Sequence, residues 1–396
     1  MAPQRLFKEA QVRDRPLFSA DLTDTIDEQY RRTEYARDGS DKSCAIMTRY
    51  ALSLHIPGVY ESTPPYRAAR RGHIKASTPF LVISMPLQYP AQSTFPAMSV
   101  IKNVAVIGAA GNVGKPITEA LLAAGFNVTA LTRESSSSTF PSGVAVKKVD
   151  YESVDSLKDA LQGQDAVVSA AATPVVGKQS VIVDAAVAAG VKRFIPSEFG
   201  INTQTVQQEG LRTILAGKIK TVDYIKEKSK ENPTFTWTGI TNGLFFDWGL
   251  RLSGLGFNKD AKTAVIVDSG DTPFFASNMS FIGKAVAAIL SHADKTANQY
   301  LSIASFALTR NQLLKIFEEE SGTKYTVKPV KSSDLEAIGK EKLEKKDFSA
   351  FGDFLQAYLF KDGGDSAKNV ELANGLLGLK DEDPRPVIKA YLDGKL

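Results

Sequence analysis

The sequence predicts an α/β fold built on a doubly wound parallel sheet. Three observations carry that expectation. From Ser99 onward, short apolar runs alternate with helix-length stretches: strands at 102–107, 127–131, 144–149, 165–170 and 192–196, helices at 115–124, 153–161 and 178–189. The first apolar run, from Val104, empties into glycines at 108, 111 and 114, with a helical pattern directly after them. A Gly125 stop and the run Asn127 to Leu131 then complete a strand–helix–strand unit.

That unit points to a dinucleotide. Gly108, Gly111 and Gly114 remove the Cβ atoms that would hold the backbone away from a pyrophosphate. The helix expected to open near Asn112 and Val113 offers unpaired N–H groups and the positive end of its dipole. The spacing is G-x-x-G-x-x-G rather than G-x-G-x-x-G, so the surrounding strands and helix carry the reading. Arg133, just past the second strand, suits a 2′-phosphate, as do the serines at 135–138, which favours NADP(H) over NAD(H). Glu134 is the counter-argument, because a carboxylate there can turn to a ribose hydroxyl instead.

Composition narrows the class. Lys and Arg number 48 against 44 Asp and Glu, a net charge of +4, so nothing calls for nucleic acid or a membrane surface. The single cysteine, Cys44, excludes an intrachain disulfide, and no apolar run approaches the length of a membrane span. A cytoplasmic setting is the simplest expectation. His55, His73 and His292 are scattered, so no metal site is expected. Residues 1–98 follow another pattern, with 9 of the 18 prolines and no sustained period. They are expected to be an extension, disordered or outside the fold, with Met98 as the start of the folded protein. Ten acidic residues among them argue against a transit peptide.

Ligands of doubly wound sheets bind beyond the carboxyl ends of the strands. After the fourth strand come Ser169 and small residues that let a flat ring approach. After the fifth comes Phe194-Ile-Pro-Ser-Glu-Phe-Gly200, which brings Ser197 and Glu198 to the cofactor edge. The same Ser-Glu pair reads equally as a capped turn before the next helix.

Taken in order, Val104-Ala-Val-Ile-Gly-Ala-Ala-Gly-Asn-Val-Gly-Lys115, Leu131-Thr-Arg133, Val191-Lys-Arg-Phe-Ile-Pro-Ser-Glu-Phe-Gly200 and Gly217-Lys-Ile-Lys220 resemble the NmrA-like branch of the short-chain dehydrogenase superfamily. Within it the chain looks most like the isoflavone reductase and phenylcoumaran benzylic ether reductase group, over about residues 99 to 396. Thr309-Arg-Asn-Gln312, a capping box, resembles that group's Ser/Thr-x-x-Glu. The resemblance implies a Rossmann NADP-binding domain over 99–245. It implies a smaller C-terminal α/β substrate-binding portion over 246–396, some of whose segments return to the Rossmann sheet. It also implies an NADPH-dependent reductase of a small, aromatic or apolar substrate, as a monomer or homodimer.

By the same resemblance the catalytic group falls on Lys218, which would also contact the cofactor. A lysine there can orient the ribose and hold a proton as hydride moves. Tyr224-Ile-Lys-Glu-Lys228 is a rival, matching the Tyr-x-x-x-Lys pair of ordinary short-chain dehydrogenases. Lys228 is about one turn before Asn232-Pro233 ends the helix, whereas sheet-edge chemistry belongs near its start. Four residues before Lys218 stands Ile214, so Lys218 has no tyrosine partner of that kind.

Asn242, Phe245 and Phe246, with Trp248 close by, follow the sixth strand at 234–241, where the family lines its substrate pocket. They read equally as core between two domains. The stretches from Leu255 to Lys262 and from Lys345 to Lys361 diverge from the plant-type reductases, so substrate identity does not carry over. An alternative role is that of the family's name-giving branch, a non-catalytic regulator that binds NADP(H) and reports to a protein partner. Retention of Lys218 and of the aromatic cluster favours the enzyme.

Overall fold

In chain order the first half runs β1 (Asn103–Ile107), α1 (Gly114–Ala123), β2 (Asn127–Arg133), β3 (Ala145–Val149), α2 (Val154–Leu161), β4 (Ala166–Ser169), α3 (Gln179–Ala188), β5 (Arg193–Ile195), α4 (Glu209–Ile214), α5 (Ala216–Glu231) and β6 (Thr236–Thr241). These come from a computed structural model that describes residues 100–172, 177–364 and 366–396. The expectation for residues 1–98 lies outside the described residues. Each strand and helix expected from the alternating pattern forms within a few residues of its expected limits. The short helix α4 and the loop before it were not expected. They separate the Pro-Ser-Glu-Phe-Gly turn from the helix that bears Lys218.

The second half follows as β7 (Leu244–Phe245), α6 (Phe246–Ser253), β8 (Phe257–Asn258), β9 (Thr263–Val267), β10 (Phe274–Ser277), α7 (Met279–Ser291), β11 (Gln299–Ser302), β12 (Phe306–Leu308), α8 (Arg310–Ser321), β13 (Thr326–Val330), α9 (Ser332–Glu344), α10 (Ala350–Phe360) and α11 (Arg385–Leu392). Seven strands form one sheet in the order β11-β6-β5-β4-β1-β2-β3. Every neighbouring pair in it is parallel. This is the Rossmann order with a seventh strand added beside β6. The crevice lies where the order reverses, between β1 and β4.

Strand side chains alternate between two apolar layers, as the two-residue period requires. Val104 and Val106 face one layer, where Ile117 and Leu121 of α1 meet Phe281, Ile282 and Val286 of α7. Ala105 and Ile107 face the other, where Leu157 of α2, Val183 of α3 and Val222 of α5 lie. Helices on both faces leave β4 and β6 buried along their whole lengths, as in parallel sheets generally. A Leu or Ile removed from water in these layers contributes about 1.5–3 kcal/mol.

Two small sheets, β12-β10-β7 and β13-β9-β8, form with the last helices a third apolar layer. The capping box at the start of α8 forms on both sides: Gln312 donates its N–H to Thr309 Oγ1 at 3.1 Å, and Gln312 Oε1 accepts the Thr309 N–H at 2.8 Å. Between these small sheets the chain goes back to the large one. Helix α7 lies so close on α1 that a Cβ at Gly283 would stand 2.4 Å from the Pro116 carbonyl oxygen. β11 then pairs with β6, Tyr300 opposite Gly239.

Arg193, the first residue of the Arg-Phe-Ile-Pro stretch, fastens this return. Its guanidinium is fully buried and donates to Thr236 and Thr238 of β6, to Thr296 and to the Ala293 carbonyl past α7. Burial draws its pKa down to about 10, opposed by Asp294. Satisfied donors make such a charge tolerable in the interior; truncating it would take a donor from three buried hydroxyls and the Ala293 carbonyl at once.

Candidate active site

The turn between β1 and α1 is shaped by contact rather than by side chains. Gly108 has φ +71, and a Cβ on it would lie 2.6 Å from the Ala170 carbonyl oxygen. A Cβ at Gly114 would be 2.0 Å from the Gly108 oxygen, so the turn closes only without one. Gly111 donates to that same oxygen at 2.8 Å. Helix α1 begins after Val113 with no side-chain cap. Among the described residues no acceptor takes the N–H of Asn112, Val113 or Gly114. Three main-chain donors at an uncapped helix start form a cradle for an anion.

Either side of this turn, the sheet edge presents the other expected residues in strand order. Arg133 ends β2 and is exposed. The loop after it is held by Lys148 of β3, whose ammonium donates to the carbonyls of Arg133, Glu134 and Ser136. Ser169 ends β4 opposite Ile107, fully buried, and its hydroxyl has no hydrogen-bond partner among the described residues. Beyond β5, Ser197 donates its hydroxyl to the Ala171 carbonyl at 2.7 Å and its N–H to Gln179 Oε1 at 3.3 Å. From β2 to β5 the edge spans three strand spacings, about 14 Å.

Lys218 lies in the first turn of α5 and is 8% exposed. Its Nζ donates to the Phe199 carbonyl at 2.9 Å, which sets it beside the turn after β5. Burial draws its pKa down, opposed by the carboxylate of Glu198. The rival pair is elsewhere. Lys228 is ten residues, about 15 Å of helix, further on. There it pairs with Glu231 at 3.2 Å and Asp184 at 3.9 Å, and Tyr224 donates to the same Asp184.

Two expected pocket residues serve the framework instead. Phe246 is fully buried, edge-on to Phe306 at 4.8 Å in the C-terminal apolar layer, and has no surface to offer a ligand. The strand β7 ends at Phe245, and α6 begins at the next residue. Asn242 is also fully buried; its Oδ1 accepts the Gly200 N–H at 2.9 Å and its amide donates to the Gly243 carbonyl. It thereby ties the turn after β5 to the turn after β6. Phe245 and Trp248 stay half-buried, edge to face at 6.1 Å.

Gln179 was missed in the sequence. It is buried, its Nε2 lacks a partner among the described residues, and its Oε1 holds Ser197. A glutamine opening a helix that runs on through Val181-Ile-Val183 was the available signal. Tyr300 was missed as well, and nothing in its local sequence marks it.

The chain belongs to the NmrA-like family, whose model matches residues 101–371. It is 35% identical over 289 residues to the oxidoreductase poxI of Penicillium oxalicum, covering 72% of this chain and 92% of that one. With the isoflavone reductase homolog IRL of Zea mays it shares 29% over 236 residues, 55% of this chain and 74% of the other. Among solved structures, the leucoanthocyanidin reductase–NADPH binary complex from Vitis vinifera superposes with a TM-score of 0.61 at 19% identity, covering 74% of this chain and 99% of that one.

Proposed function

We propose that this protein is an NADPH-dependent reductase of a small, aromatic or apolar organic molecule. The observation that carries the proposal is the buried Lys218 ammonium at the carboxyl edge of the sheet, hydrogen-bonded to Phe199 beside Ser197. A lysine that only solvates a helix face has no reason to be buried there. Relatives named as oxidoreductases and as isoflavone reductase homologues support the reading.

The residues fit the cofactor. The N–H groups of Asn112, Val113 and Gly114, in a turn that a Cβ would fill, suit a pyrophosphate. Arg133 suits a 2′-phosphate, and the loop carbonyls beside it are already held by Lys148. The Ser169 hydroxyl and the Gln179 Nε2, without partners among the described residues, suit the polar groups of a ribose or a carboxamide. Bound NADPH supplies the hydride. Lys218 holds a proton at Nζ for the oxygen or leaving group of the substrate, and its hydrogen bond to Phe199 fixes where that proton stands. Phe245 and Trp248 give apolar ring surface for the substrate.

The test is consumption of NADPH, followed by absorbance, with a panel of aromatic carbonyls and benzylic ethers. Turnover that depends on Lys218 supports the reductase. Tight NADP(H) binding with no turnover across the panel would favour the redox-reporting regulator instead.

A further inference from the structure

Behind Lys218 stands a second charge that the reduction itself does not call on. Glu198 is fully buried in the turn after β5. One of its oxygens, Oε2, accepts the hydroxyls of Thr203 and of Tyr300, the latter at 2.8 Å; Oε1 has no hydrogen-bond partner among the described residues. Tyr300 reaches it from β11 across 102 residues of sequence. Its ring lies over the bare backbone of Gly239, where a Cβ would stand 2.5 Å from Cδ2. Two hydroxyls that both donate to one buried oxygen favour a carboxylate over a carboxylic acid.

We propose that Glu198 is a positioning residue for Lys218: a buried carboxylate, oriented by Thr203 and Tyr300 and one residue before the Phe199 carbonyl that holds the lysine Nζ, that keeps this ammonium charged at the sheet edge. The proposal rests on the reading of Lys218 as the proton-holding group. Burial raises the Glu198 carboxyl and lowers the Lys218 ammonium, and each group opposes the shift of the other. Charged together, they offset part of their desolvation; either one alone would lose its charge. Lys226 of α5 acts weakly on Glu198; its Nζ donates to Gln204 at 2.7 Å and lies 5.8 Å above the Trp237 ring. Burial, then Glu198, hold the Tyr300 phenol far above its ordinary range, so it remains a donor throughout the working pH range.

The experiment is a direct titration of Lys218 in the full chain without cofactor, by NMR of ε-carbon- and ζ-nitrogen-labelled lysine. The proteins are the parent, Glu198→Gln, Tyr300→Phe and Lys226→Gln. Glu198→Gln should lower the Lys218 midpoint by at least about one pH unit, tenfold in the equilibrium. Tyr300→Phe should lower it by less, and Lys226→Gln, which removes a like charge, should not lower it. Lys228, near the far end of the same helix, serves as internal reference in each spectrum. Should Glu198→Gln fail to fold, Tyr300→Phe carries the test. An unmoved Lys218 midpoint in the folded variants would overturn the proposal. A lowered midpoint in Glu198→Gln, together with full turnover in Lys218→Ala, would uphold the coupling and overturn the role of Lys218 in reduction.

Discussion

Lys218 and Phe199 are joined across nineteen residues by a hydrogen bond from the lysine Nζ to the phenylalanine carbonyl, 2.9 Å long. The partner is main chain, so the position of the ammonium group is set by the course of the backbone after β5. Lys228, on the same helix, pairs instead with the carboxylates of Glu231 and Asp184 and lies 5.3 Å from the centre of the Tyr224 ring.

The two lysines therefore respond differently to removal. Lys218→Ala should lower kcat by at least the ~10²-fold expected for a lost proton-transfer group, with NADPH affinity kept within about an order of magnitude. Lys228→Ala should change little. Both remove one positive charge from α5, so equal losses in steady-state kinetics would point to a general electrostatic effect. A large loss in Lys228→Ala alone would transfer the role to Tyr224 and Lys228.

Arg133 at the end of β2 should set the choice of dinucleotide. NADPH is expected to bind more tightly than NADH, and Arg133→Ala should erase most of the difference. A lost charge-assisted phosphate contact costs roughly 1.5–3 kcal/mol, about ten- to a hundredfold in affinity. Calorimetric titration of both cofactors into parent and variant measures it; equal affinities in the parent protein would sink the claim.

Gly114→Ala should damage both stability and cofactor binding, because the new Cβ would meet the Gly108 oxygen at 2.0 Å. Overpacking of this kind costs typically about 1–3 kcal/mol. Gly352, in α10 with open space around its Cα, is the contrast: Gly352→Ala should stabilise by roughly 0.5–1 kcal/mol. Thermal unfolding with and without NADPH separates the two; a Gly114→Ala protein that melts and binds like the parent would argue against a tight turn.

Asp165 links stability to pH. Burial alone would raise its carboxyl, but hydrogen bonds from Lys192 and from the main-chain N–H groups of Asn103 and Lys102 outweigh this and hold it below its ordinary value of 3.8. A carboxylate with a depressed folded pKa contributes stability that is present above the unfolded pKa and lost as pH falls through the folded one. Asp165→Ala should thus cost about 1.5–3 kcal/mol near neutral pH. Denaturant unfolding at a series of pH values should show the gap from the parent narrowing below about pH 4. A gap that stays constant down to pH 3 would count against the linkage.

The large sheet was legible because parallel strands buried on both faces leave unbroken apolar runs, and glycines and capping residues punctuate them. Val104 to Ile107 and Ala166 to Ser169 are of that kind. At the site, Lys218 came from family resemblance and Arg133 from its place after β2. Phe246 stayed open because an aromatic residue after a strand reads alike as pocket wall or as core; only the third dimension sets it against Phe306. Tyr300 was invisible for another reason. Its partner Glu198 lies 102 residues earlier, and no local pattern records a pairing between strands so far apart.

The return of the chain to the large sheet has a bearing on how the molecule is made. During synthesis, β1 to β6 leave the ribosome before α7 and β11 exist. Until then α1 lacks its covering helix, β6 is an open edge and Arg193 is without Ala293 and Thr296. The nucleotide-binding half thus waits for more than fifty further residues before its last strand can dock. Long-range parallel pairing of this sort is slow, and an unpaired edge in the interval invites intermolecular pairing. A fragment that stops near residue 245 would be left permanently in that unfinished condition, so the sensible unit for expression or grafting is the whole span through β11 rather than the half that touches the nucleotide.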